Sequence, residues 1–245
     1  IRAAGKMKHP YAAAYKAGWN LAEEFVNMYI GHGGEFFKPG SAEPNVNNAK
    51  GVATLNMLKK LADLSNPDYL THDSEAIKVE WESGNVAIMT LWASRSGTLL
   101  DDEGDAKITA ATKLVAPATV GGGNIPAATL WWDGFTLAKN RPDADAEASF
   151  RALAHAASSK EMVAKAADQA VWLVEGFVPG PKSVGVIEAV KMGAKPYPML
   201  PQMGLMHGAL GGEIVEFLQG NESAEQALKD VEAAYTSKAK EQGFL

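Results

Sequence analysis

The sequence has no cysteine, which excludes disulfides, thiol nucleophiles and Cys-ligated metals. No apolar run approaches the roughly 18 residues that a membrane-spanning helix needs. Basic residues are few: 23 Lys and Arg stand against 29 Asp and Glu, giving a net charge of −6 with the two signs interspersed. With no basic stripe to hold phosphates, nucleic acid and anionic membranes are not expected as partners. His9, His32, His72, His155 and His207 fall in no H-x-x-x-H spacing, so no metal site is expected. Gly121-Gly122-Gly123 lacks both the Lys-Ser/Thr of a phosphate loop and the register of a dinucleotide fingerprint. The acidic run 99–106, with Asp101, Asp102, Glu103 and Asp105, lacks the alternating register of a calcium loop and reads as a solvated connector. No G-x-S-x-G nucleophile elbow occurs. No cofactor is expected.

What is present is ordinary soluble-protein composition, 47% hydrophobic and 21% charged, in 245 residues, enough for one large domain or two small ones. The most informative stretch is 79–95, Val-Glu-Trp-Glu-Ser-Gly-Asn-Val-Ala-Ile-Met-Thr-Leu-Trp-Ala-Ser-Arg. It reads as the end of a short helix, a Gly84 turn, then a strand over 85–92 apolar enough to be buried on both faces. Trp92 closes that strand, and Ser94 and Arg95 follow in a polar loop. In open α/β sheets ligands sit beyond the carboxyl ends of strands, so Trp92 is the first site candidate. Arg95 offers a bidentate clamp for a carboxylate, or an ordinary solvated charge.

The pattern of an aromatic, a polar residue, Gly, two residues, Ala, a few apolar residues and Trp resembles the extracellular solute-binding proteins of ABC importers. Specifically it resembles family 1, the large group of maltose-binding-protein relatives that deliver sugars and polyols. Further matches are the helix and Gly-Gly turn at 19–34, the 171–184 segment with its Gly-x-x-Pro-x-x-x-Ser-Val-like crossover, the Pro-Gln-Met entry at 201–203 and the Ser-x-x-Gln-Ala-Leu-Lys-Asp ending at 223–230. The resemblance implies an α/β, periplasmic-binding-protein-like two-lobed fold, mostly the second lobe with part of the first. Residues 1–110 and 160–245 would build the second lobe, and 111–159 would return to the first. Family members are longer and their opening half-lobe has no counterpart here. Because the chain opens Ile-Arg-Ala-Ala-Gly without Met or a signal segment, a processed or truncated chain is expected.

In chain order, Trp19, Ala22, Phe25, Val26, Tyr29 and Ile30 mark one face of a helix closed by Gly31. Val52, Leu55, Leu58 and Ala62 mark a second, ending before Pro67. Residues 107–116 and 127–138 read as strands. Pro142 opens a helix with an apolar face of Phe150, Leu153, Ala154 and Ala157, and a further helix spans 160–170. A long helix runs from 198 through Leu218. Ser223 and Gln226 form a capping box on the last helix, whose buried face holds Leu228, Val231 and Tyr235.

The remaining site candidates come with the resemblance. Tyr11, beside His9 and Pro10, and His207, after the Pro-Gln-Met entry, fall where relatives contact ligand. Trp131, Trp132, Asp133 and Gly134 replace a Gly-Gly-Trp-Gly motif at the cleft, and Trp172 lies near the crossover. On a strand, Trp131 and Trp132 would point to opposite faces, one of them into the core. Asp133 in an apolar strand needs partners, and ligand hydroxyls would supply them. Aromatic faces meet the C–H face of a sugar, and a carboxylate accepts from its hydroxyls. The expected ligand is therefore a neutral sugar or polyol, bound without turnover by a periplasmic or membrane-anchored monomer that delivers it to an ABC permease. The competing reading is a sugar-processing α/β enzyme.

Overall fold

The computed structural model describes residues 1–101 and 104–245. Asp102 and Glu103 of the acidic connector lie outside the described residues. Short strand β1 (Tyr11–Ala12) leads to α1 (Trp19–Gly31), α2 (Ala49–Ala62) and α3 (Ser74–Glu82). Strand β2 (Ile88–Met89) is followed by α4 (Ala93–Ser96), α5 (Ala106–Ala111), β3 (Thr129–Leu130), α6 (Asp143–Ser158), α7 (Lys160–Lys165) and α8 (Val184–Lys191). Strand β4 (Lys195–Pro196) and helices α9 (Met203–Glu213), α10 (Val215–Gln219) and α11 (Ala224–Glu241) complete the chain.

Side-chain caps set many of the helix starts, each oxygen taking up backbone N–H groups that the first turn leaves unpaired. Asn48 caps α2, Asp73 caps α3, Asp105 caps α5 and Ser159 caps α7. Ser223 accepts from Gln226 N on α11, but the Gln226 side chain reaches Asp230 at 2.8 Å, so the capping box closes on one side only.

The main core joins the two ends of the chain. Leu21, Phe25, Tyr29, Leu55 and Leu58 interlock with Met203, Met206, Leu210, Leu228, Val231 and Tyr235, all fully buried. Tyr235 Oη donates to Ala42 O, and Glu232 Oε1 accepts from Val46 N and Asn47 N, fastening α11 to the α1–α2 connection. A smaller cluster of Ala12, Ala14, Ile77 and Val86 lies under α3.

Strands are shorter than expected. β1 pairs with β2 and β3 with β4, both parallel, and no wider sheet occurs among the described residues. The apolar run 85–92 is therefore strand only at Ile88 and Met89, and Ile88 is exposed. Burial on both faces needs a layer packed on each, and the face of β2 that carries Ile88 has none. Residues 107–116 are a correction: Asp105 caps a helix there, and residues 113–116 lie outside helix and strand. Of 127–138 only Thr129 and Leu130 are strand. α7 stops at Lys165, and the helix through Leu218 breaks at Ile214. No residue of α6 is buried, and Phe150 on its apolar face is 61% exposed. Periodicity shows which face is apolar; it does not supply a cover. No helix among the described residues is long and apolar enough to cross a membrane.

Candidate functional site

The register of the second strand pair builds the site. Thr129 stands opposite Lys195 and Leu130 opposite Pro196, so the residues that follow, Trp131 and Tyr197, emerge side by side. Their rings stack at 4.2 Å between centroids, and Tyr197 N donates to Leu130 O. At the start of α1, Gly18 holds a positive φ of 95° and its N–H donates to Gly211 O of α9. That bend presents Trp19 on the first turn, 51% exposed. Trp92, beyond the carboxyl end of β2, meets Trp19 edge-on at 5.5 Å, and Trp131 lies 5.9 Å from it on another side. His207 of α9 lies beneath Trp19 at 4.8 Å.

Five rings from five separate parts of the chain thus converge. Trp19 and Trp131, 43% exposed, keep ring surface open to solvent, while Tyr197 and His207 are buried beside them.

Hydrogen bonds fix the buried rings. His207 Nε2 lies 3.0 Å from Trp19 O, a carbonyl that can only accept, so Nε2 carries the hydrogen. Burial holds His207 below its ordinary pKa, so the ring is neutral and Nδ1 accepts from Tyr197 Oη at 3.0 Å. Burial, and secondarily the charge of Glu23, pushes the Tyr197 phenol up to about 12, keeping it a donor. Glu23 on α1 lies under Trp131, with Thr129 Oγ1 at 2.7 Å and Trp131 Nε1 at 3.3 Å from its Oε1. Burial pushes its carboxyl up to about 7.

The residues expected from sequence divide. Trp92, Trp131 and His207 stand in the ring cluster. Arg95 sits over Trp92, its guanidinium carbon 5.9 Å from the ring centroid, and pairs with Glu75; its backbone lies in α4, not in a loop. Tyr11 is buried on β1, its hydroxyl 2.9 Å from Thr90 Oγ1 and its pKa raised by burial, so the ring serves the core. Trp131 and Trp132 both lie beyond the strand end, and neither is core; Trp132 is 67% exposed. Asp133 is exposed as well, which corrects the expectation of a carboxylate enclosed in an apolar strand. Both corrections have one cause: the ladder ends at Leu130, and the residues from Trp131 onward have no strand partner. Trp172 Nε1 donates to Ala166 O at 2.8 Å, tying its own loop together, and Trp172 makes no ring contact with the cluster.

Trp19, Tyr197 and Glu23 join the cluster although no motif in the sequence singles them out as site candidates. An open groove of about 740 Å³ lies at the other end of α1, by Ile30, Phe36 and Leu200, and none of the five rings lines it.

No protein-family model matches the sequence, and no curated protein matches it by sequence. Solved structures do match the fold. An ABC transporter solute-binding protein of Agrobacterium radiobacter K84, in complex with ribitol, superimposes with a TM-score of 0.72 at 17% identity, over 96% of this chain and 60% of that one. The maltose-bound MalE3 of T. maritima gives 0.72 and 17%, over 96% and 61%. A solute-binding protein of Agrobacterium vitis S4 with bound D-mannitol gives 0.66 and 15%, over 98% and 63%. The chain therefore spans about 60% of the length of the structures it matches. It has the periplasmic-binding-protein-like fold of the ABC-transporter solute-binding proteins, in part.

Proposed function

We propose that this chain carries part of the ligand site of an extracytoplasmic solute-binding protein, which captures a neutral sugar or polyol and delivers it to an ABC permease. The observation that supports this most is the ring cluster of Trp19, Trp92, Trp131, Tyr197 and His207 beyond the strand ends. Polarised C–H groups of a sugar pack on such π faces, and the open surfaces of Trp19 and Trp131 are available to them. The cations near the cluster are few. Arg95 is already paired with Glu75, so an anionic ligand would find little to neutralise it. The solved relatives of this fold hold ribitol, maltose and mannitol.

Binding without turnover fits the two best-buried carboxylates. Glu23 and Glu24 are adjacent on α1 and engage different sides, Thr129 for one and the Ala14 N–H for the other. A glycosidase needs two carboxyl groups facing one another across a bond, which this pair does not provide. Closure of two lobes around the ligand would supply the affinity.

Calorimetric titration of the protein with both lobes complete, using ribitol, mannitol and maltose beside gluconate and a sugar phosphate, tests the reading. Saturable binding of a neutral compound, recovered unchanged, is expected. Trp19→Ala or Trp131→Ala should weaken it by about tenfold, the value of one well-placed aromatic contact. Binding confined to the charged compounds, or consumption of the sugar, would overturn it.

A further inference from the structure

Glu23 lies one helical turn beyond Trp19 on α1 and is 1% exposed. Its Oε1 is 2.7 Å from Thr129 Oγ1 and 3.3 Å from Trp131 Nε1. Its Oε2 is buried with no partner among the described residues. Thr129 Oγ1 lies in turn 2.8 Å from Asn27 Oδ1 and 3.0 Å from Trp131 Nε1.

With Asn27 Oδ1 facing Thr129, counting hydrogens points to the charge state. The Trp131 indole can only donate, and its shorter contact is to Thr129 Oγ1. The Thr129 hydroxyl has one hydrogen, yet two side-chain oxygens, Glu23 Oε1 and Asn27 Oδ1, lie within bonding distance. If Glu23 were ionised, one of those oxygen–oxygen contacts would have no hydrogen in it. A charged Oε2 would also be buried with no donor, a costly arrangement. One proton on Oε1 satisfies the chain: Glu23 O–H and Trp131 N–H donate to Thr129 Oγ1, and Thr129 O–H donates to Asn27 Oδ1.

We propose that Glu23 is a positioning residue that holds the Trp131 ring in the cluster as a neutral carboxylic acid. Its ionisation removes the hydrogen that Thr129 Oγ1 accepts and turns Glu23 Oε1 into a charged acceptor 3.3 Å from Trp131 Nε1, so the indole hydrogen changes partner. Burial supports this by raising the carboxyl to about 7, with no cation offsetting it. The titratable groups around it are Glu24 on its own helix, the Tyr197 phenol after β4, and His207 of α9 behind that phenol. On α2, Lys50 is bound to Gly33 O, Lys59 to Asp63, and Lys60 is exposed; Lys195 of β4 is also exposed. That the ring belongs to a ligand site rests on the reading above; its coupling to Glu23 does not.

The test needs no ligand. In the full chain carrying isotope-labelled tryptophan, the indole N–H resonance of Trp131, assigned with Trp131→Phe, is followed from about pH 5.5 to about pH 9. A single step with its midpoint near about 7 is expected. In Glu23→Gln, whose amide donates to Thr129 as the acid would, the resonance should stay at its acid-side position throughout. Glu24→Gln should keep the step. A wild-type resonance that does not move, as an ionised carboxylate with a rotated Asn27 amide would give, overturns the proposal. So does a step that survives in Glu23→Gln, which would belong to His207 or another group. Should the Gln variant not fold, the Glu23 carboxyl carbon resonance of the wild type replaces it. That carbon must titrate with the Trp131 midpoint, and titration in the ordinary carboxylate range overturns the assignment. Loss of sugar binding with the step intact would fault only the ligand reading.

Discussion

Glu24 ties the stability of the fold to pH. It is buried on α1, and burial first, then the charge of Glu23, pushes its carboxyl from 4.5 up to about 8. Below 4.5 the folded and unfolded chains are both protonated, and the full stability is present. As pH rises from 4.5 toward 8 the unfolded chain gives up this proton while the native state keeps it, so stability falls across that window. About 1.4 kcal/mol accrues per pH unit of the gap. Glu24→Gln removes this linkage. The variant should gain on the wild type by up to several kcal/mol between about pH 5 and about pH 8, read from denaturant midpoints. A difference that stays constant with pH would refute the buried protonated carboxyl. Neither glutamate was legible in the sequence, because a carboxylate on an amphipathic helix is normally solvated. The signal was present: Leu21, Glu24, Phe25 and Met28 share the buried stripe, and Trp19, Glu23 and Asn27 recur every four residues on the face that meets Thr129. Trp19 was assigned to the apolar face of α1 on the same periodicity. A residue on a first turn overhangs the helix end, so spacing alone could not show its ring to be half exposed.

At the scale of elements, the close approach of α9 to the start of α1 sets where Trp19 points. Gly211 accepts the Gly18 N–H, and a Cβ at Gly211 would run into the Gly18 backbone. Backbone cannot swing aside as a side-chain end can. Gly211→Ala should therefore cost about 1–3 kcal/mol of stability and displace Trp19 with Gly18. Gly212, next along the same helix, is exposed and has nothing within 4 Å of a Cβ. Gly212→Ala should raise stability by about 0.5–1 kcal/mol, from helix propensity alone. Thermal melts of the two variants and near-ultraviolet circular dichroism of the tryptophans check this. Equal effects would mean that the Gly18 contact does not constrain the helix. Helices with strong periodicity, α1, α2 and α11, were legible from sequence to within a few residues. Strands were not. The apolar runs at 85–92 and 127–138 state a preference for burial, but ladder length depends on neighbours that a local pattern does not contain.

Across the whole molecule, burial is unevenly distributed. The main core is drawn from residues 11–62 and 197–239, so the first and last parts of the chain hold each other. Between them, α6 contributes no buried residue, and Trp132, Phe135, Leu137, Leu173 and Val178 are exposed. Only long-range pairing explains this division. The resemblance to solute-binding proteins made the general fold legible, whereas residue spacing alone could not say which helices meet. Local opening free energy follows buried apolar contact, so amide exchange should divide the same way. The slowest amides are expected in α1, α2, α9 and α11, exchanging only through global unfolding. Residues 131–142 and 166–180, which are outside regular structure and largely exposed, should exchange fastest, with α6 between. Because α11 is fastened to 42–47 by Tyr235 and Glu232, those four helices should lose protection together as denaturant is added. Mass-spectrometric exchange at several denaturant concentrations reads both points. Protection of α6 equal to that of α1, or loss of α11 well before α1, would show that the two ends of the chain do not form one cooperative core.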